Sequence, residues 1–170
     1  MRVALAEDKS AIAFGLVRTG AGAAPTTGVR PPELDGRIVG YRQLKPVEAV
    51  RLPDRVPDRT TTLKLTGGMM NYEWGFNGRP HDPGHFEPLR FGERVRLNVV
   101  NTTTMWHPIH LHGHTFATVD SGLRKDTAIV LPGQTLPVVF NADNPGRWML
   151  HCHNAYHAEA GMMTQLGYVR

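Results

Sequence analysis

The sequence has almost no cysteine: Cys152 stands alone among 170 residues. An internal disulfide is therefore excluded, and the thiol is left as a buried structural group, a nucleophile or a metal ligand. Long apolar runs are missing as well. No stretch approaches the roughly 20 residues of a membrane-spanning helix, and Met1-Arg2-Val3-Ala4-Leu5-Ala6-Glu7-Asp8 meets charge before a signal-like run develops. No membrane span is expected, and no targeting signal is visible. Nor is there a basic run with interleaved aromatics. Nineteen Lys and Arg against fifteen Asp and Glu leave a formal charge of +4, with many arginines scattered over the N-terminal third, so nucleic acid is not an expected partner. Internal repeats and low-complexity tracts are absent. The remainder, 41% hydrophobic and 20% charged, has the composition of one globular domain of ordinary size.

Along the chain, Val3 to Val17 reads as two short apolar stretches around the turn-like Glu7-Asp8-Lys9-Ser10, a small hairpin. Thr19 to Gly36 is a Gly-, Ala- and Pro-containing connector, and Lys45 to Arg59 is interrupted by Pro46, Pro53 and Pro57. The compact domain is expected to begin near Thr60, with residues 1–59 as an extension. Short β-type runs then recur at Thr61–Leu65, Met70–Phe76, Arg94–Val100, His110–Val119, Ala128–Leu131, Leu136–Phe140, Arg147–His151 and Met163–Val169. Breaks fall at Asn77-Gly78, Pro83-Gly84, Pro132-Gly133 and Asn144-Pro145-Gly146. Many short strands without a long helical period predict an all-β antiparallel sandwich.

Seven of the nine histidines sit in two clusters, His107-Pro108-Ile109-His110-Leu111-His112-Gly113-His114 and His151-Cys152-His153-Asn154-Ala155-Tyr156-His157. Strand alternation points His110 and His112 one way, and His151 and His153 one way with Cys152 opposite. One short strand would thus feed two metal sites back to back. A thiolate and two imidazoles with a long thioether contact form the ligand set of a blue-copper site. Cys152, His157 five residues on, Met162 five further and His107 supply it. Structural zinc would show paired C-x-x-C spacing, which is lacking, and a Cys-His protease would not need two flanking histidines. Met69-Met70 and Met162-Met163 invite a copper-uptake reading, but core packing or strand ends suit Met69, Met70 and Met163 better.

H-P-I-H-L-H-G-H followed by H-C-H-x-x-x-H-x-x-x-G-M resembles the C-terminal copper motifs of the multicopper oxidases, the laccase-like and copper-efflux oxidases. The similarity extends over roughly Thr60 to Arg170, including M-N-Y-E-W-G-F-N-G and R-K-D-T-A-I-V-L-P-G-Q. It implies a cupredoxin-like Greek-key sandwich, the last domain of a three-domain oxidase. It places His107, Cys152, His157 and Met162 on type 1 copper positions, His110 on a type 2 position, and His112, His151 and His153 on type 3 positions. His114 matches a common histidine that is not a ligand. In such enzymes a small reducing substrate (a phenol, an aromatic amine or a metal ion) gives electrons to type 1 copper. They pass through Cys152 into His151 and His153, the catalytic relay, and the trinuclear cluster reduces dioxygen to water. Met at position 162 implies a lower potential than the Leu or Phe of some fungal laccases. A periplasmic or secreted setting follows from the same resemblance.

The departures matter as much. The family draws half of its trinuclear histidines from two H-x-H motifs in its first domain, and no further H-x-H pair exists here; the spacing of His81 and His85 does not supply one. The chain is expected to complete one copper site and half of the other, to need N-terminal cupredoxin domains of the same or another chain as partners, and to be inactive alone. Several bacterial members carry an acidic residue directly after the type 1 histidine; here that position is Ala158, with Glu159 one later, turned to the other face if the segment is β-like. Two readings follow. In one, the chain is the C-terminal segment of a multicopper oxidase, truncated or the product of a split gene, with residues 1–59 as the tail of a preceding domain and linker. In the other it is a single-copper electron-transfer or copper-binding module.

Overall fold

Alternation of apolar and polar side chains builds most of this fold, because successive residues of a strand face opposite sides of a sheet. The computed structural model describes residues 2–4, 12–16, 18–26, 28–29, 32–37 and 39–170, and it divides between Val39 and Gly40 into two units. In the first, β1 (Arg2–Ala4) pairs antiparallel with β2 (Ile12–Phe14). This is the expected hairpin; its turn at Glu7-Asp8-Lys9-Ser10 lies outside the described residues.

The second unit holds β3 (Arg59–Gly68), β4 (Glu73–Phe76), β5 (Glu87–Leu89), β6 (Arg94–Asn101), β7 (His107–Leu111), β8 (Phe116–Thr118), β9 (Arg124–Lys125), β10 (Thr127–Val130), β11 (Thr135–Asn141), β12 (Arg147–Cys152), α1 (Ala155–Glu159) and β13 (Met163–Tyr168). They form a five-stranded sheet ordered β10-β7-β12-β13-β5 and a six-stranded sheet ordered β4-β3-β6-β11-β8-β9. Most pairs are antiparallel; β3 with β6 and β13 with β5 are parallel. Leu63, Leu65, Leu97, Val99 and Phe140 of one sheet join Ile109, Leu111, Leu150 and Leu166 of the other in one buried core. The all-β sandwich is thus as expected.

Three local differences have physical causes. The run read as a single strand over His110–Val119 is two strands in different sheets, because Gly113 takes φ +68° and turns the chain between them. The edge strand β5 contains Pro88, which a composition-based reading discounts, but an edge position tolerates the missing donor. The single turn α1 is too short to show a helical period; it starts where the Asn154 side chain accepts a hydrogen bond from the Tyr156 backbone N–H. Asn77-Gly78 behaves as read: both take positive φ, and Phe76 and Arg79 exchange backbone hydrogen bonds across them.

Residues 40–58 belong to this unit, ahead of the strands. Tyr41 packs on the core, its hydroxyl accepts from the Ile129 N–H, and its carbonyl accepts from the Ser121 hydroxyl. Arg94, 4% exposed, donates from its guanidinium to the Pro53 carbonyl and to Asn141.

Candidate metal centre

Strand β12 carries Cys152 at its end with the side chain inward, completely buried. Its neighbour β7 is registered so that Cys152 faces Ile109 and His151 faces His110. His107 opens β7 on the buried face with Ile109 and Leu111, and α1 delivers His157 to the same place. Nδ1 of His107 lies 3.1 Å from Nδ1 of His157, and the Cys152 Sγ lies 3.7 and 3.8 Å from those two nitrogens. Three donors in a plane, at about 2.0 Å for nitrogen and about 2.3 Å for sulfur, would stand about 3.5 Å apart N to N and about 3.7 Å N to S. The donor set fits one ion with little movement. Met162 is wholly buried and tied to both neighbours: its N–H donates to the His157 carbonyl and its carbonyl accepts from the Cys152 N–H.

Hydrogen bonds aim the rings. Thr103 directs its hydroxyl proton at Asn101 Oδ1 (2.9 Å), so its oxygen accepts from Nε2–H of His107 at 2.7 Å. That leaves the His107 Nδ1 lone pair facing the site. Asn101, 1% exposed, is held in turn by the Met105 and Val130 carbonyls. Burial pushes the His107 pKa down to about 4 and lowers that of His157, while it pushes the Cys152 thiol up to about 11. Two neutral imidazoles with facing nitrogens beside a thiol suit a cation that displaces one proton.

On the opposite face of the same two strands, His110, His112, His151 and His153 cluster with ring centroids 4.6–5.6 Å apart. Nε2 of His112 and Nε2 of His151 approach to 3.0 Å. His151 donates Nδ1–H to the Cys152 carbonyl at 2.9 Å, and His110 donates Nδ1–H to the Asp126 carbonyl at 3.0 Å beside the Thr127 hydroxyl. Both bonds leave Nε2 unprotonated and facing outward. Burial, then neighbouring histidines, lowers the pKa of His112.

His114 spends both ring nitrogens on protein, donating to the His112 carbonyl and accepting from Tyr168 Oη, so no lone pair is left for a metal. His81 and His85 lie in the loop after β4, and His85 pairs with Glu87 at 3.6 Å. Glu159 sits on a helical turn, not a β-like segment, so the alternation argument about its facing does not apply; it is exposed. Met69 and Met70, 62% and 99% exposed, occupy the β3–β4 turn; they are beyond a strand end, not in the core. Sequence reasoning missed Trp74, whose ring stacks on His157 at 4.3 Å and meets His107 edge-on at 5.2 Å. It also missed Thr103 and Asn101. Trp74 reaches the histidines only through tertiary folding, and Thr103 and Asn101, though four and six positions before His107, are residue types too common to stand out.

The family model for Multicopper oxidase matches residues 54–169. The chain belongs to the multicopper oxidases. It is 44% identical over 171 residues to Multicopper oxidase MmcO of Mycobacterium tuberculosis, covering 98% of this chain and 34% of that one. It is 42% identical over 135 residues to Copper resistance protein A of Escherichia coli, covering 76% of this chain and 22% of the relative. The chain thus spans about a third or less of these relatives. Among solved structures, Fet3p, a multicopper oxidase that functions in iron import, superposes with a TM-score of 0.69 at 22% identity, over 88% of this chain and 38% of that one; this likeness speaks to fold. Copper is the metal of the multicopper oxidases, and the buried His-Cys-His set of this one is compatible with it.

One local prediction concerns the multicopper oxidase motif glycine, Gly113. A Cβ there would lie 2.3 Å from Trp148 Cδ2, at a φ of +68°. Gly113→Ala should cost about 3 kcal/mol, from overpacking and left-handed strain together. In urea unfolding this reads as a midpoint lower by about 1 M or more; an unchanged midpoint would show that Trp148 swings away freely.

Proposed function

We propose that the chain is the C-terminal copper-binding segment of a multicopper oxidase. In this reading His107, Cys152 and His157 would hold type 1 copper, with Met162 as the weak fourth donor. His110 serves type 2 copper, and His112, His151 and His153 serve type 3 copper. Copper so held supplies one-electron chemistry between a small reducing substrate, a phenol, aromatic amine or metal ion, and the four-electron reduction of dioxygen to water. Residues 1–59 act as the tail of a preceding domain and linker, of which 40–58 pack against the sandwich, and 60–170 act as the last cupredoxin domain, outside the cytoplasm.

The observation that supports this best is the division of one strand end between two faces. Cys152 points into the core while His151 and His153 point out, and the His151-to-Cys152 carbonyl hydrogen bond adds a second link to the covalent one. The four outer histidines need facing ligands, which the chain's other histidines do not provide. They would come from N-terminal cupredoxin domains.

The alternative, a single-copper electron-transfer module, has one observation in its favour. Among the described residues, only His107, Cys152 and His157 bring three such donor atoms within 4.8 Å of one another. Oxygen uptake by the copper-loaded chain with a phenol as donor separates the two readings. The segment reading expects no uptake alone and uptake once an N-terminal cupredoxin domain of the family is added. Uptake by the lone chain would remove the half-site argument, and none in either case favours the module.

A further inference from the structure

Resting on the type 1 reading of His107, Cys152 and His157, we propose that electrons reach this site through Trp74 and Tyr72 at the β3–β4 hairpin, not by contact of a donor with a ligand imidazole. His107 and His157 are 0% and 2% exposed, so no donor can lie against either ring. Trp74 is the side chain that covers them, stacked on His157 with a 30° interplanar angle and edge-on to His107 at 68°. It is itself 2% exposed, and the next aromatic outward is Tyr72, edge-on to the indole at a centroid distance of 6.4 Å. Tyr72 is 40% exposed, beside the exposed Met69 and Met70.

Two details argue against plain packing. The indole Nε1–H is buried with no acceptor among the described residues, a cost that Phe at this position would avoid. Tyr72 takes φ +50°, where a bulky side chain is uncommon, and this backbone sets its ring against Trp74. The hairpin that carries both is held by the antiparallel pairing of β3 and β4, Gly67 facing Trp74 and Gly68 facing Glu73.

The step is an outer-sphere transfer. An uncharged aromatic donor resting on Tyr72, Met69 and Met70 gives up one electron, and the copper ion held by His157 gains it, going from cupric to cuprous. The two rings conduct without being oxidised, and Tyr72 loses no proton. Its ring matters and its hydroxyl does not.

The test follows bleaching of the blue band of the copper-loaded full chain by excess hydroquinone, anaerobically, in a stopped-flow instrument. Tyr72→Asn, whose side chain tolerates the positive φ, should bleach about tenfold more slowly, and Tyr72→Phe within about twofold of the parent. Absorption, electron-spin spectrum and reduction potential should be unchanged in both. An unchanged rate for Tyr72→Asn overturns the proposal. So does a slower rate accompanied by a shifted spectrum or potential, since Tyr72 would then be shaping the site. Slowing by Arg79→Ala or Glu87→Ala instead would move the port to the cavity of about 190 Å³ that these residues line beside Met163. Absence of any blue band in the parent chain defeats the type 1 reading itself; a blue parent with an unaffected Tyr72→Asn defeats this inference alone.

Discussion

Replacing Cys152 by Ser should abolish the intense blue absorption that the chain develops on anaerobic titration with Cu(II). The sulfur is wholly buried and sits 3.7 and 3.8 Å from the two imidazole nitrogens, so it is the only soft anionic donor the cluster contains. A hydroxyl at that position is smaller, far less acidic and a poor partner for cuprous ion. The parent chain should bind roughly one equivalent with a blue colour and the corresponding narrow electron-spin signal. The variant should retain its fold, because Ser fills nearly the same volume, and a far-ultraviolet spectrum checks this. Retention of the blue band in Cys152→Ser would mean that the colour arises elsewhere and that the inner triad is not the site.

A second large effect concerns pH. Burial holds the metal-free Cys152 thiol near 11, while it holds His107 near 4 and lowers His157. At pH 7 the thiol is therefore protonated and His107 is already neutral. Copper binding as thiolate must expel the Cys152 proton, so affinity rises with pH until the thiol ionises by itself. The sign is fixed by the raised thiol: between pH 7 and pH 9 the apparent affinity should tighten about 100-fold, one proton leaving per copper. Below about pH 4, protonation of His107 adds a second proton and steepens the loss. Competition against a chelator, corrected for its own protonation, measures the slope, and an indicator dye counts the protons. A flat profile in the parent would mean that the thiol is not a ligand; Cys152→Ser should lose the slope in any case.

Much of this was legible in the residue order. The H-x-H and H-C-H motifs encode two faces because strand geometry has a period of two, and in the folded chain they close β7 and β12, with His112 and His153 each one residue past the strand end. The sandwich was legible for the same reason. What the sequence hid are contacts made by distant segments. Trp74 lies 83 positions before His157, yet its ring covers it. Closer in the chain, Asn101 at the end of β6 and Thr103 just after it orient His107 through an amide and a hydroxyl, residue types too common to stand out. The break at Gly113 was misread because a single left-handed glycine looks like any other glycine until Trp148 is seen beside it. The helical turn that carries His157 was hidden by its brevity.

The pairing of His151 with His110 and of Cys152 with Ile109 also bears on how such a protein can change over generations. Loss or gain of a single codon between Arg147 and Cys152 would exchange inside for outside along the rest of the strand, presenting imidazoles to the core and the thiol to the outer face at one stroke. Substitutions there can be sampled one at a time, whereas length changes strike both faces together. The described residues of the connector between Thr19 and Gly36 form no strand with such a two-sided duty, so length variation among descendants of this gene should accumulate there and be purged from β12.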